Sequence, residues 1–298
     1  MAGDNTFFRE EILALFGYSL GSMPIKHLGV PLISTSLSSV DCRRLIDKIL
    51  ARIQSWTTRF LSFAGRLQLI LSVLYSLQNY WAGLFIFTRK VINEIEKLIR
   101  RFLWSGPDLK VHGSKVAWED IATPKEEGGL GLRKLEDINF SLMAHHIWLI
   151  CLPCTSSPWV NWVRRYLIRE HSFWDLPIPS SCSWTWRKLL GMRDKIRPFL
   201  KVKIGDGADT WLWLDSWLPM GPILQNFDDR IIYDSGLPRH ARVSSIIRNG
   251  QWAWPVENSP DLLILKQAIP PSLQPSCDKR DRLIWTPSAS GSFSTMSA

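Results

Sequence analysis

The sequence predicts a mainly α fold with a small α+β part, a helical bundle followed by a Trp-rich region carrying a β-hairpin. Three observations predict it. Apolar residues recur every three to four positions through residues 38–105 and again through 135–150. After residue 155 that periodicity gives way to Pro, Ser and Trp with short β-type runs. A chain of 298 residues that is 46% hydrophobic and 21% charged can bury two modest cores.

Each element has a local reason. Residues 17–33, GYSLGSMPIKHLGVPLI, combine Gly, Pro and short apolar pieces, the signature of a hairpin of two short strands. Ser38 followed by Asp41 is an N-cap with an acidic group in the first turn. Leu45, Ile46, Ile49, Leu50 and Ile53 then mark one helix face, and Arg43, Arg44, Asp47, Lys48 and Arg52 the other. The stretch 56-WTTRFLSFAGRLQLILSVLYSLQNYW-81 supplies one or two further helices. In the next, Val91, Ile95, Leu98, Ile99, Phe102 and Leu103 face inward, and Glu96, Lys97, Arg100 and Arg101 outward. Glu96 and Arg100 are spaced for an i,i+4 ion pair, and Ser105-Gly106-Pro107 ends the helix.

Further on, GGLGLRKL at 128–135 is a turn into a helix over 135–150, with Leu135, Ile138, Leu142 and Trp148 on its apolar face. Runs near 199–204 and 210–214 flank Asp206-Gly207-Ala208, a hairpin signal. Residues 255–280 are Pro-rich and weakly patterned, which predicts a linker.

Composition excludes several function classes. Mean hydropathy is −0.03, and no run approaches the ~18 apolar residues of a membrane span. Asp4, Glu10 and Glu11 stand where a signal peptide needs a basic then apolar start, so an intracellular chain (nucleus or cytoplasm) is expected, not a secreted one. Five Cys without a secretory signal predict reduced thiols. A net charge of +9 favours a polyanionic partner. The 16 Trp are several times the usual share.

Most candidate chemistry reduces to structure. Gly128-Gly129-Leu130-Gly131 lacks the third Gly of a dinucleotide fingerprint and the Gly-Lys-Ser/Thr of a phosphate loop, so a tight turn is expected. Cys151 and Cys154 have redox or zinc half-site spacing. They close a helix instead of opening one, and adjacent His145 and His146 point to different sides, so no metal site is expected. Asp228-Asp229 is a near miss to an aromatic-x-Asp-Asp polymerase hairpin, with Asn226 at the aromatic position. Asp206 and Asp209 flank a turn. No nucleophile elbow occurs, and no carboxylate cluster for two-metal chemistry emerges.

Gly65-Arg66, inside a helical run, resists that reduction. Gly there costs about 1 kcal/mol against Ala, which is worthwhile if another backbone approaches. Arg59 lies two turns earlier on the same face, so the pair can form a phosphate-binding face; the alternative is a surface Arg with a packed stem.

A series of short motifs in order resembles the C-terminal part of plant LINE-type (non-LTR) retrotransposon reverse transcriptases. The series runs Leu28-Gly29-Val30-Pro31-Leu32, Ser55-Trp56, Leu61-Ser62-Phe63-Ala64-Gly65-Arg66 with Leu69-Ile70, Tyr80-Trp81 and Phe102-Leu103-Trp104-Ser105-Gly106. It continues through Lys115-Val116-Ala117-Trp118, Pro124-Lys125-Glu126-Glu127-Gly128-Gly129-Leu130-Gly131-Leu132, Asn139, and Ile204-Gly205-Asp206-Gly207 with Trp213, Asp215 and Trp217. It closes on Asp281-Arg282-Leu283-Ile284-Trp285 and Gly291-Ser292-Phe293-Ser294.

The resemblance implies a division of the chain. Residues 1–35 are the end of the palm, 36–105 a thumb-like helical domain and 106–254 a Trp-rich connector. Residues 255–280 are the linker, and 281–298 the truncated start of the zinc-binding segment. It places the catalytic carboxylates before residue 1 and the zinc ligands after Phe293. It therefore implies a fragment of an RNA-directed DNA polymerase that is not an enzyme by itself. His27 departs from the family, which usually has Tyr there.

The implied partner is an RNA or DNA duplex held through phosphates, with no cofactor, metal, membrane or small-molecule substrate. Candidate nucleic-acid-binding residues are Arg59, Gly65, Arg66, Arg100, Arg101, Lys115 and Lys125, with Gly65 giving clearance for a minor-groove approach. Most Trp are expected in the core. The alternative function is a structural remnant or Trp-rich interaction module without a nucleic-acid role.

Overall fold

The computed structural model describes residues 13–17, 25–33, 35–56, 61–110, 116–254, 259–276 and 278–298. The expected N-terminal hairpin forms between β1 (Ile25–His27) and β2 (Val30–Leu32), paired antiparallel with Ile25 opposite Leu32. Leu28 and Gly29 make the turn at φ 50° and 83°, the positive values that tight hairpin turns demand.

Helix α1 (Ser39–Gln54) starts on a reciprocal capping box. The Asp41 amide donates to Ser38 Oγ at 3.2 Å, and the Ser38 amide donates back to Asp41 Oδ2 at 2.9 Å. The stretch after Trp56 forms one rod: α2 (Phe63–Leu69), a π-helical turn (Ile70–Leu74) and α3 (Tyr75–Ala82). Helix α4 (Arg89–Ser105) ends at Gly106, whose φ of 74° breaks the helix. Ile49 and Ile53 of α1, Leu74 and Trp81 of the rod, and Ile95, Ile99 and Phe102 of α4 are fully buried together. This first core runs on past residue 105 through α5 (Trp118–Ile121) to Leu135 and Ile138, so it crosses the boundary expected there.

The expected Glu96–Arg100 pair does not form. Glu96 Oε1 instead accepts the amide of Leu135 at 2.9 Å, capping the start of α6 (Leu135–Cys151), while Arg100 lies over the Trp118 ring at 5.3 Å. An exposed i,i+4 pair is worth about 0.3–0.5 kcal/mol, and a carboxylate on a helix's free N–H groups about 0.5–2 kcal/mol, so the cap wins.

Helix α6 belongs to two cores. Its first turn closes the first, and Met143, Ala144, Ile147 and Ile150 enter the second with α7 (Pro158–Val163), α8 (Trp184–Gly191), α9 (Arg193–Ile196), β3 (Leu200–Lys203) and Trp285. A third core joins Trp213 and Trp217 to α10 (Ile223–Asn226), α11 (Arg230–Ser235) and Val243. The antiparallel pair β4 (Ile247–Arg248) and β5 (Gln251–Trp252) lies beside it and supplies the hairpin of this region, turning on Asn249-Gly250. Residues 260–267 are not linker: they form α12 (Pro260–Gln267), with Leu262 and Leu265 buried in the third core. The single apolar run Leu262–Leu265 between prolines was too short a signal to reveal it.

Asp206-Gly207 does not turn the hairpin expected there, because β3 pairs antiparallel with β6 (Arg282–Trp285), Leu200 opposite Trp285. Of the 16 Trp, Trp56, Trp81, Trp118, Trp148, Trp186, Trp213, Trp217 and Trp285 are buried, and Trp159 and Trp162 are exposed. No helix among the described residues is long and apolar enough to cross a membrane.

Candidate nucleic-acid interface

The start of α2 meets the end of α4. Ser62 Oγ caps α2 by accepting the Gly65 amide at 3.1 Å, and Phe63 packs on Trp104 at 5.4 Å. Arg66 reaches across, its Nη1 donating to the Trp104 carbonyl at 3.4 Å, where a cation also meets the negative end of the α4 dipole. A Cβ on Gly106 would lie 3.3 Å from the same nitrogen. Arg100 and Arg101 stand on the last turns of α4, both half-buried. The fold thus brings Gly65 and Arg66 to the end of α4, while Arg100 turns to the Trp118 ring and Arg101 stands one residue further along the same helix.

Gly65 is not required by internal packing. A Cβ there would meet Ser62 Oγ at 3.4 Å and Leu61 at 3.8 Å, ordinary contacts. Lys125 sits apart, exposed on a 3₁₀ turn (Lys125–Glu127) beside Glu126 and Glu127, with its stem against Gly131. Arg59 and Lys115 lie outside the described residues.

The glycine run is a tight turn. The amides of Gly128, Gly129 and Gly131 donate to Lys125, Pro124 and Thr123 carbonyls at 3.1, 3.0 and 3.1 Å, leaving none of the three directed at an anion. A Cβ on Gly129 would stand 2.2 Å from the Thr123 carbonyl oxygen, so close backbone approach explains that glycine.

Two constellations were not legible in the sequence. The first joins motifs more than seventy residues apart. The buried Asp281 carboxylate accepts the amides of Gly205 (2.8 Å), Gly207 (2.9 Å) and Asp209 (3.1 Å) and the Thr210 hydroxyl (2.6 Å). Gly205 is needed here because a Cβ would lie 2.1 Å from the Lys279 carbonyl. The loop is therefore a cradle for a carboxylate of the chain itself. Only the resemblance singled out both pieces, and nothing in it paired them.

The second is a cavity of about 260 Å³ at the C-terminal end of α6. Arg164, at the head of a π turn (Arg164–Ile168), caps α6 by donating to the carbonyls of Ile150 (2.8 Å) and Pro153 (3.1 Å) and to that of Leu152. Asp215 faces the cavity and accepts the Trp211 amide at 2.7 Å, while Arg242 lies over the Trp211 ring at 3.5 Å. Burial pushes the Asp215 carboxyl up to about 6, against the lowering pull of the Trp211 amide, Arg242, Trp174 and Arg197.

A folded-state value above the unfolded one means that ionising Asp215 works against the fold. Its penalty is absent below about pH 4, grows between pH 4 and 6, and is complete above that, at about 3 kcal/mol. Asp215→Asn, which keeps an acceptor for Trp211, should stabilise the protein by about 1–3 kcal/mol at pH 8 and by little at pH 4. Urea titrations at the two pH values would check this; an equal effect at both would contradict it.

The described residues do not fit a zinc site. Burial, followed by the nearby Asp215, pushes the Cys151 thiol up, whereas a metal ligand must lose its proton. Cys154 is exposed with Arg280 Nη1 3.4 Å from its sulfur. His146 Nε2 is bonded to the Gly83 carbonyl at 2.8 Å and His145 stacks on Phe293, so the two rings do face apart. Among the described residues no three Cys, His, Asp or Glu converge; Cys277 lies outside them. Asp229 of the Asp-Asp pair holds Arg239 at 2.8 Å. A chelator should leave the melting temperature unchanged, and one equivalent of zinc lost with structure on Cys151→Ser would overturn that expectation.

No protein-family model matches the chain. A protein of Arabidopsis thaliana bearing the name "Putative ribonuclease H protein" is 27% identical over 282 residues, which cover 90% of this chain and 44% of that protein. An uncharacterised mitochondrial protein of the same plant is 28% identical over 154 residues, 50% of this chain and 99% of its own length. The chain is a distant homologue of both. It spans less than half the length of the first.

Proposed function

We propose that this chain is the thumb and connector portion of a LINE-type reverse transcriptase, and that it binds template–primer duplexes through phosphates without polymerase activity of its own. The ordered motif series carries this reading, and the match to the ribonuclease H-named relative over 90% of the chain agrees with it. The junction of α2 and α4 supports the role: Arg66 spans it beside a glycine that internal packing does not require, with Arg100 and Arg101 on the last turns of α4, on a chain of net charge +9. Phosphoryl transfer by two metal ions needs converging carboxylates, and no such group occurs among the described residues.

A gel-shift assay with a labelled RNA–DNA hybrid tests the reading. Retardation at low salt is expected, equally for unrelated sequences. Failure to bind any hybrid would leave the alternative, a Trp-rich structural or interaction module. Primer extension by purified protein above a mock-purified control would refute the non-catalytic part.

A further inference from the structure

The exposed aromatic residues after α6 form a surface of their own. Trp159 and Trp162 of α7 and Tyr166 of the following π turn are 38%, 51% and 54% exposed, although eight other Trp of this chain are buried. Trp162 and Tyr166 stand side by side, ring centroids 5.8 Å apart. Beneath them runs a groove of about 520 Å³, floored by Val163, Leu176, Trp186 and Leu189 and edged by Arg169 and His171. Arg165 lies against the Tyr166 ring at 5.9 Å.

Exposed charge in this segment leans positive. Within residues 159–193 Arg165, Arg169 and Lys188 are exposed against Glu170 and Asp175, while Arg164, Arg187 and Arg193 are bonded to backbone carbonyls. Asp175 is already taken by Arg239 at 3.0 Å. The backbone that presents Arg169 is strained, with φ 57° and ψ −124° on a residue that is not glycine, directly after a π turn. Both features are costly and cluster at binding sites.

We propose that this groove is a binding site for single-stranded nucleic acid, with bases stacked on Trp162 and Tyr166 and phosphates beside Arg165 and Arg169. The guanidiniums select a polyanion. Exposed flat rings select one whose base faces are open, which a duplex conceals and a single strand offers. The site is separate from the α2–α4 junction and does not rest on the function proposed for it.

Fluorescence anisotropy of the full chain with a labelled dT12 strand, and with an abasic strand of equal length, tests the proposal. Trp162→Ala and Tyr166→Ala should each weaken dT12 binding about tenfold, the effect of one lost stacked base, while Trp162→Phe stays within about twofold. The abasic strand should bind the parent as weakly as it binds a variant carrying both Trp162→Ala and Tyr166→Ala. RNA–DNA hybrid affinity should not change in any of these variants, which separates this site from the helix junction. Equal binding of dT12 and the abasic strand by the parent protein would overturn the proposal. So would parental dT12 affinity in both alanine variants. The abasic comparison decides the matter even if an alanine variant melts early.

Discussion

Asp281→Ala should destabilise the protein by about 4 kcal/mol, because it strands two buried amides, a half-buried one and a hydroxyl that now share one carboxylate. Each orphaned buried donor costs about 1–3 kcal/mol, and only the Thr210 hydroxyl can turn to another acceptor. The loss is a large part of the ~5–15 kcal/mol that holds a typical domain together. Asp281→Asn should fall between, since it keeps one acceptor oxygen and turns the other into a donor facing N–H groups. Urea denaturation followed by Trp fluorescence measures both. An Asp281→Ala variant within about 1 kcal/mol of the parent would mean that the loop is held elsewhere.

Asn139→Ala should cost about 3 kcal/mol. The buried Asn139 donates from Nδ2 to the carbonyls of Ala82 and Phe85, both at 2.7 Å, and accepts the Phe87 amide at 2.9 Å. It fixes the turn between α3 and α4 onto α6, the helix shared by the first two cores. Removing it leaves three backbone groups without partners at about 1 kcal/mol each or more. Asn139→Asp should be nearly as damaging, since it supplies no donor for the two carbonyls. A parental urea midpoint in both variants would show that the turn needs no such tether.

What was legible in the sequence was local. Ser38 with Asp41, and Gly106 after Ser105, mark helix ends by chemistry confined to a few residues, and the apolar spacing of α1, α4 and α6 marks their inner faces. What escaped was non-local. Asp206-Gly207 suits many tight turns, and the partner of β3 comes about eighty residues later, in β6. Glu96 satisfies a helix start on another element, so its spacing to Arg100 was a poor guide. Asn139 and Asp281 were marked out only by the resemblance, while their shared chemistry, a buried polar side chain holding remote backbone, appears only in three dimensions. The same holds for the candidate interface: Gly65-Arg66 was visible as an irregularity in a helix, but Trp104 as the acceptor for Arg66 was not.

The central claim, duplex binding through phosphates at the α2–α4 junction, is tested most directly by a salt titration of affinity for an RNA–DNA hybrid, comparing the parent with Arg66→Ala and Arg101→Ala. Phosphate contacts release counterions, so log affinity should fall linearly with log salt, by about 0.9 for each phosphate contacted if the hybrid behaves as B-DNA does. Each variant should flatten the slope by about one contact. Loss of the Arg66 bond to Trp104 would lower the melting temperature without changing the slope, so stability and recognition are read separately. A steep parental slope that flattens in both variants is the predicted result; a flat parental titration, or parental slopes in both variants, would contradict the account.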